Sequence, residues 1–176
     1  MQVFFSIFWW IYFSIFFSGY PLIYILLYLI HKKKSMNHSG AEKIFSMLPL
    51  VYAFVATCFW ILMIYTGRMN FVIERIASAA PSAIVILYSF SALLFWLPAL
   101  RRKAYGSFLH SLPLFMLPFF NMLNRVSRHK IVDHDYIVTL FRIYTAGFIT
   151  YIIAIIFLMA VKWLLSKTFL LKHYKV

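Results

Sequence analysis

The sequence predicts an all-α integral membrane protein, a polytopic bundle of four to five transmembrane helices with one interfacial amphipathic helix. Three observations carry this. Seventeen Lys and Arg and four acids are the whole charged complement of 176 residues, and they fall almost entirely between apolar runs. Several runs reach the length of about 20 residues that a helix needs to cross roughly 30 Å of hydrocarbon. With 64% hydrophobic residues, a water-soluble chain of this size could not bury them all. The spans and their loops use up the chain, so it reads as a single transmembrane domain, 1–176.

The first span, about 3–30, is longer than a straight crossing requires. Ser18, Gly19, Tyr20 and Pro21 interrupt it, and a proline that removes one backbone hydrogen bond predicts a bent or tilted helix. Without a basic leader or a small-residue cleavage site, it reads as a retained anchor rather than a signal peptide. It stops at His31, Lys32, Lys33 and Lys34. A polar loop over 35–40 leads to the second span, about 45–66, with Pro49 in its first turns and Gly67 as its C-terminal stop. Over about 68–79, Met69, Val72, Ile73 and Ile76 recur at helical spacing among Arg68, Asn70, Glu74 and Arg75. This predicts a helix lying along the headgroups. Pro81 is tolerated just inside a helix start, and the third span, about 82–100, ends at Arg101, Arg102 and Lys103. The segment 107–123 is a further candidate crossing, short and broken by Pro113 and Pro118. The last span, about 137–161, is followed by a short basic amphipathic tail.

Charge sets the expected orientation. Basic residues favour the inner side of a membrane, which puts the N-terminus outside and the loop 31–44 inside, in a bacterial or organellar inner membrane. The count is the same whether or not 107–123 crosses. Crossing is preferred because the lysine loop, the cluster Arg101 to Lys103 and the C-terminus then share the inner side. The net charge of +13 is accordingly read as topology determinants and contacts to anionic phospholipids, with Lys32, Lys33, Lys34, Arg101, Arg102 and Lys103 at the headgroups, and not as a nucleic-acid surface. Cys58 is the one cysteine, which excludes a disulfide within the chain and a thiolate metal cluster.

Polar chemistry is sparse. The densest cluster is Ser127, Arg128, His129, Lys130, Asp133, His134 and Asp135. On a helix, His129 and Asp133 would share a face, so His129, Asp133, His134 and Asp135 are the candidate metal ligands. The competing reading is a solvated loop whose acids favour the next helix N-terminus. A bis-histidine haem site, which needs two facing imidazoles, has one candidate pair, His31 and His110, both expected near the cytoplasmic face. Trp9, Trp10, Trp60 and Trp96 would be the contacts of a quinone or pigment, although interfacial aromatics account for such residues. No cofactor is strongly implied. Ser14 with Ser18, and Ala146 with Thr150, have the small-xxx-small spacing of a helix-packing face.

Ser127 and Arg128 followed by His134, with Pro81 and Ser82 heading an upstream span, resemble parts of two signatures of membrane type 2 phosphatidic acid phosphatases. The resemblance implies attack on phosphorus by His134 and phosphate binding by Arg128. It is incomplete. Ala83 and Ile84 replace the glycine and acid histidine, Val138 replaces the orienting aspartate, and the first signature is missing. Such a site has no group to protonate the leaving oxygen. The leading functional expectation is therefore a non-catalytic structural or accessory subunit of a larger membrane complex, packed against other subunits and lipid. The alternatives are a metal-dependent or phosphatase-like enzyme built on 127–135, and a small transporter built on 107–123.

Overall fold

A computed structural model describes residues 2–33, 39–77, 81–102, 104–129 and 134–173. Every element among them is helical: α1 Gln2–Lys33, α2 Ser39–Tyr65, α3 Met69–Ala77, α4 Pro81–Ser91, a 3₁₀ turn Ala92–Trp96, α5 Pro98–Arg101, α6 Ala104–His129 and α7 His134–His173. Three helices are long and apolar enough to cross a membrane, over Ile11–Ile30, Lys43–Tyr65 and Ile137–Lys167; Ala83–Trp96 and Ala104–Phe120 are shorter apolar helices.

The ends of these elements follow from local chemistry. Gly67, at φ +66°, closes α2. Its N–H donates to the Ile64 carbonyl at 3.0 Å and that of Arg68 to the Met63 carbonyl at 3.0 Å. This is the Schellman pairing, which places at C′ a left-handed residue that only glycine adopts at little cost. Pro98 ends the preceding helical path because a residue before proline is pushed out of the α region. Leu97 accordingly sits at ψ 128° and Pro98 starts α5. The expected third span is thus not one helix. It is α until Ser91, 3₁₀ to Trp96, extended at Leu97 and helical again to Arg101. By contrast, α1 runs through Pro21, α2 through Pro49, and α6 through Pro113 and Pro118. The helix α2 also begins six residues before the expected span, at Ser39, and the basic tail continues α7 to His173.

Aromatic contacts fix the directions. Phe13 meets Phe59, Phe17 meets Tyr52, and Tyr24 meets Phe45, so α2 descends as α1 climbs. Tyr20 and Tyr24 meet Tyr151 and Phe108 respectively, while Tyr144 donates to the Phe115 carbonyl at 2.9 Å. Hence α7 runs with α1, and α6 runs against both. Arg101, Ser46 and Lys162 line one cavity, which puts the end of α5, the start of α2 and the C-terminal half of α7 at the same end of the bundle.

The core is built on α1 and α2, where Phe13, Phe17, Tyr20, Leu48, Val51, Tyr52, Phe59 and Met63 are buried. The closest approach is between α1 and α7. A Cβ on Gly19 would collide with the Gly147 backbone, and one on Gly147 would lie 2.8 Å from both the Ile15 carbonyl and Ser18 Oγ. Two glycines therefore let these backbones touch, with Ser14 and Ser18 buried beside them. Ala146 and Thr150 are half-buried next to that crossing.

Candidate functional site

The polar side chains that the structure gathers lie inside the bundle, around His110. Its ring is stacked on Tyr88, with centroids 4.4 Å apart and planes 3° from parallel. Tyr52 and Phe95 present their edges at 5.7 and 5.5 Å. Nδ1 is 2.9 Å from the Tyr52 hydroxyl and Nε2 is 2.7 Å from Ser91 Oγ. Ser91 Oγ donates to the Tyr88 carbonyl at 2.6 Å. A serine has one proton to give, so its remaining capacity is as an acceptor. The set closes when a neutral imidazole carries its proton on Nε2 and donates to Ser91, while Nδ1 accepts from Tyr52. Each hydroxyl and each ring nitrogen then has a partner, as a low-dielectric interior demands.

The helices assemble this set for identifiable reasons. Ser91 is the last residue of α4, where the 3₁₀ turn begins. Tyr88 donates to the His110 carbonyl at 2.9 Å, as Tyr144 does to the Phe115 carbonyl. These carbonyls lie three residues before Pro113 and Pro118, each beside the carbonyl that a proline leaves without its N–H partner. Tyrosines from neighbouring helices thus supply donors where the prolines loosen the helical ladder, which is how such helices survive in an apolar medium. Next to this set, Ser107 Oγ donates to the Ala104 carbonyl and accepts from Tyr20. The Tyr20 ring lies 4.6 Å from that of Tyr52 and 5.4 Å from that of Tyr151. Among the described residues, Ser18 Oγ, Trp60 Nε1 and the Tyr151 hydroxyl are buried without a hydrogen-bond partner.

His110 was expected near one end of the bundle, as half of a haem pair. Its partner Tyr52 is instead close to the middle of the candidate span Lys43–Tyr65, and Tyr20 and Tyr151 are likewise near the middles of theirs. Phe108 of α6 stacks on Tyr24 with ring centroids 4.4 Å apart, and His110 follows two residues further along the same helix. Both ring nitrogens face hydroxyls, those of Tyr52 and Ser91. The side chain of His31, the proposed second ligand, lies outside the described residues.

The 127–135 cluster is placed only in part. Ser127 is exposed near the end of α6, and His134 and Asp135 are exposed in the first turn of α7. The side chains of Arg128 and His129 and the whole of Lys130 and Asp133 lie outside the described residues. Among the described residues no three His, Cys, Asp or Glu side chains come together as a metal site would require. At the other end, Lys32 and Arg102 are exposed and Arg101 is half-buried. The Lys33 side chain, Lys34 and Lys103 fall outside the described residues. Of the tryptophans proposed for a cofactor, Trp60 packs on Phe90 at 4.3 Å and Trp96 Nε1 donates to Thr57 Oγ1 at 2.8 Å. The side chains of Trp9 and Trp10 lie outside the described residues.

Reading the sequence missed the His110 set because its members, Tyr52, Tyr88, Ser91 and His110, are spread over three helices. The one signal was an ionisable residue within an apolar segment, which is by default a candidate for function when the segment is buried. The class these observations define is an all-helical chain with three helices long and apolar enough to cross a membrane, carrying a hydroxyl–imidazole set in its interior. Searches of protein-family models, curated proteins and solved structures return no match.

Proposed function

We propose that the chain is an integral membrane protein serving as a non-catalytic structural or accessory subunit of a larger membrane complex. The observation that carries this reading is the state of α7. Its apolar stretch Ile137–Lys167 is the longest of the three, yet only 11% of its most apolar window is buried against the rest of the chain, compared with 50% and 56% for the other two. Phe141, Ile149, Ile153 and Ile156 are exposed at helical spacing, an apolar stripe suited to a neighbouring transmembrane helix. In this reading the N-terminus is outside, the loop 31–44 is inside, and α6 crosses, as supported by the antiparallel run of α6 beside α7. The test is the native mass and protein content of the particle extracted from its own membrane in mild detergent. Companions in fixed stoichiometry are expected, and a lone monomer or homo-oligomer would overturn the reading.

A small transporter is the second reading, favoured by His110 at mid-depth opposite the helix break at Ala92–Trp96, since discontinuous helices near the midplane commonly build transport sites. It requires water to reach the set. A cysteine replacing Ser91 in a Cys58→Ala background should then react with a membrane-impermeant thiol reagent. An inert cysteine there would leave the set as packing.

A further inference from the structure

We propose that the groove between α2, α5 and α7 seats one anionic phospholipid, its phosphate held between Arg101 and Lys162 and an acyl chain lying on Leu50 and Leu158. The inference rests on the reading of the chain as a membrane protein. The groove has a volume of about 410 Å³, and its described lining includes Ser46, Met47, Leu50, Arg101, Leu158 and Lys162. That volume is in the range of about 300–1,000 Å³ of pockets that hold organic ligands. It far exceeds what an inorganic anion would fill.

The lining divides by chemistry. Arg101 comes from the last turn of α5 and Lys162 from α7, so two separate elements aim cations at one space. No carboxylate is among the described lining residues, so the site neutralises a negative headgroup and offers no partner to a choline or ethanolamine cation. Ser46 Oγ donates to the Lys43 carbonyl of its own helix at 2.8 Å, which leaves the two cations as the donors for a phosphate. The remaining wall is apolar. Leu158 lies one helical turn, about 6 Å, from Lys162 toward the middle of α7, and Leu50 lies one turn from Ser46 in the same direction. An acyl chain running inward from a phosphate at Lys162 meets both. Basic pockets between membrane helices hold anionic lipid headgroups by this combination of charge and apolar wall. A free phosphate would satisfy the cations and leave the apolar wall to water.

The experiment is native mass spectrometry of the full chain in detergent, titrated with phosphatidylglycerol, with phosphatidylcholine of the same acyl chains, and with inorganic phosphate. One retained phosphatidylglycerol is expected. Binding should fall about thirtyfold in the double variant R101Q/K162Q, the ratio expected for two headgroup cations. It should be unchanged in Arg142→Gln, which removes an exposed cation toward the opposite end of α7. Leu50→Trp fills the apolar wall without altering charge and should also weaken the adduct. Equal retention of phosphatidylcholine, unchanged binding in R101Q/K162Q, or full displacement by millimolar phosphate would overturn the site. Alkaline extraction of membranes containing the chain separates the two readings. Release into the aqueous fraction defeats the membrane reading itself, whereas retention without lipid selectivity defeats this site alone.

Discussion

At the scale of single residues, hydroxyl groups of the same chemical kind have different consequences. Tyr52 donates to Nδ1 of His110, and Tyr52→Phe would leave that acceptor unpaired in an apolar interior. Loss of about 1–3 kcal/mol is expected, read as thermal unfolding in detergent. Tyr151 is equally buried but its hydroxyl has no described partner. Tyr151→Phe is therefore expected to be neutral or slightly stabilising, and a loss above about 1 kcal/mol would show that the hydroxyl is engaged. A double-mutant cycle over Tyr52→Phe and His110→Phe isolates the pair. Coupling of about 1 kcal/mol or more is expected because the double variant removes donor and acceptor together. Purely additive losses would mean that the contact contributes nothing beyond packing.

Elements are held by features as small as a missing methyl group. The α1–α7 crossing depends on Gly19 and Gly147, where a Cβ on either meets main-chain atoms of the partner helix. Main chain cannot rotate away as a side-chain tip can, so Gly19→Ala should cost about 3 kcal/mol or more, at the upper end for overpacking. Gly106 provides the contrast. A Cβ there would lie 3.8 Å from the Phe95 ring, and Gly106→Ala should gain up to about 1 kcal/mol from helix propensity. Unfolding of the two variants in one detergent checks both signs. Gly67→Ala tests the end of α2. Among the described residues no atom beyond its chain neighbours lies within 4 Å of the added Cβ, so the expected loss of about 1 kcal/mol is the cost of a left-handed backbone. The spacing of Ser14 with Ser18 was legible along α1, but the glycine beside Ser18 was read only as an interruption. One helix seen alone does not reveal which of its small residues faces a partner.

For the whole molecule, the decisive arrangement is which ends lie together. Arg101, Lys162 and the start of α2 share one end, and the start of α7 with the end of α6 lies at the other. Single cysteines placed at Lys32 and at Arg102 in a Cys58→Ala background should label from one side of the membrane with an impermeant reagent, and a cysteine at Ser127 from the opposite side. Labelling of all three from the same side would exclude five crossings. Basic residues alone left the fate of 107–123 open, because both topologies place the same number inside.

Helicity and the existence of long apolar spans were determined by the sequence, because apolar run length, proline and glycine act locally and can be read residue by residue. Gly67 as a stop and the amphipathic segment α3 belong to that class. The break of the third span at Pro98 was available from the same rules, since proline restricts the residue before it. The polar set on His110, the Gly19–Gly147 crossing and the groove of Arg101 with Lys162 were decided by tertiary structure. Each joins side chains from separate helices, and which faces meet depends on helix rotation and register, set by the fit of many side chains at once.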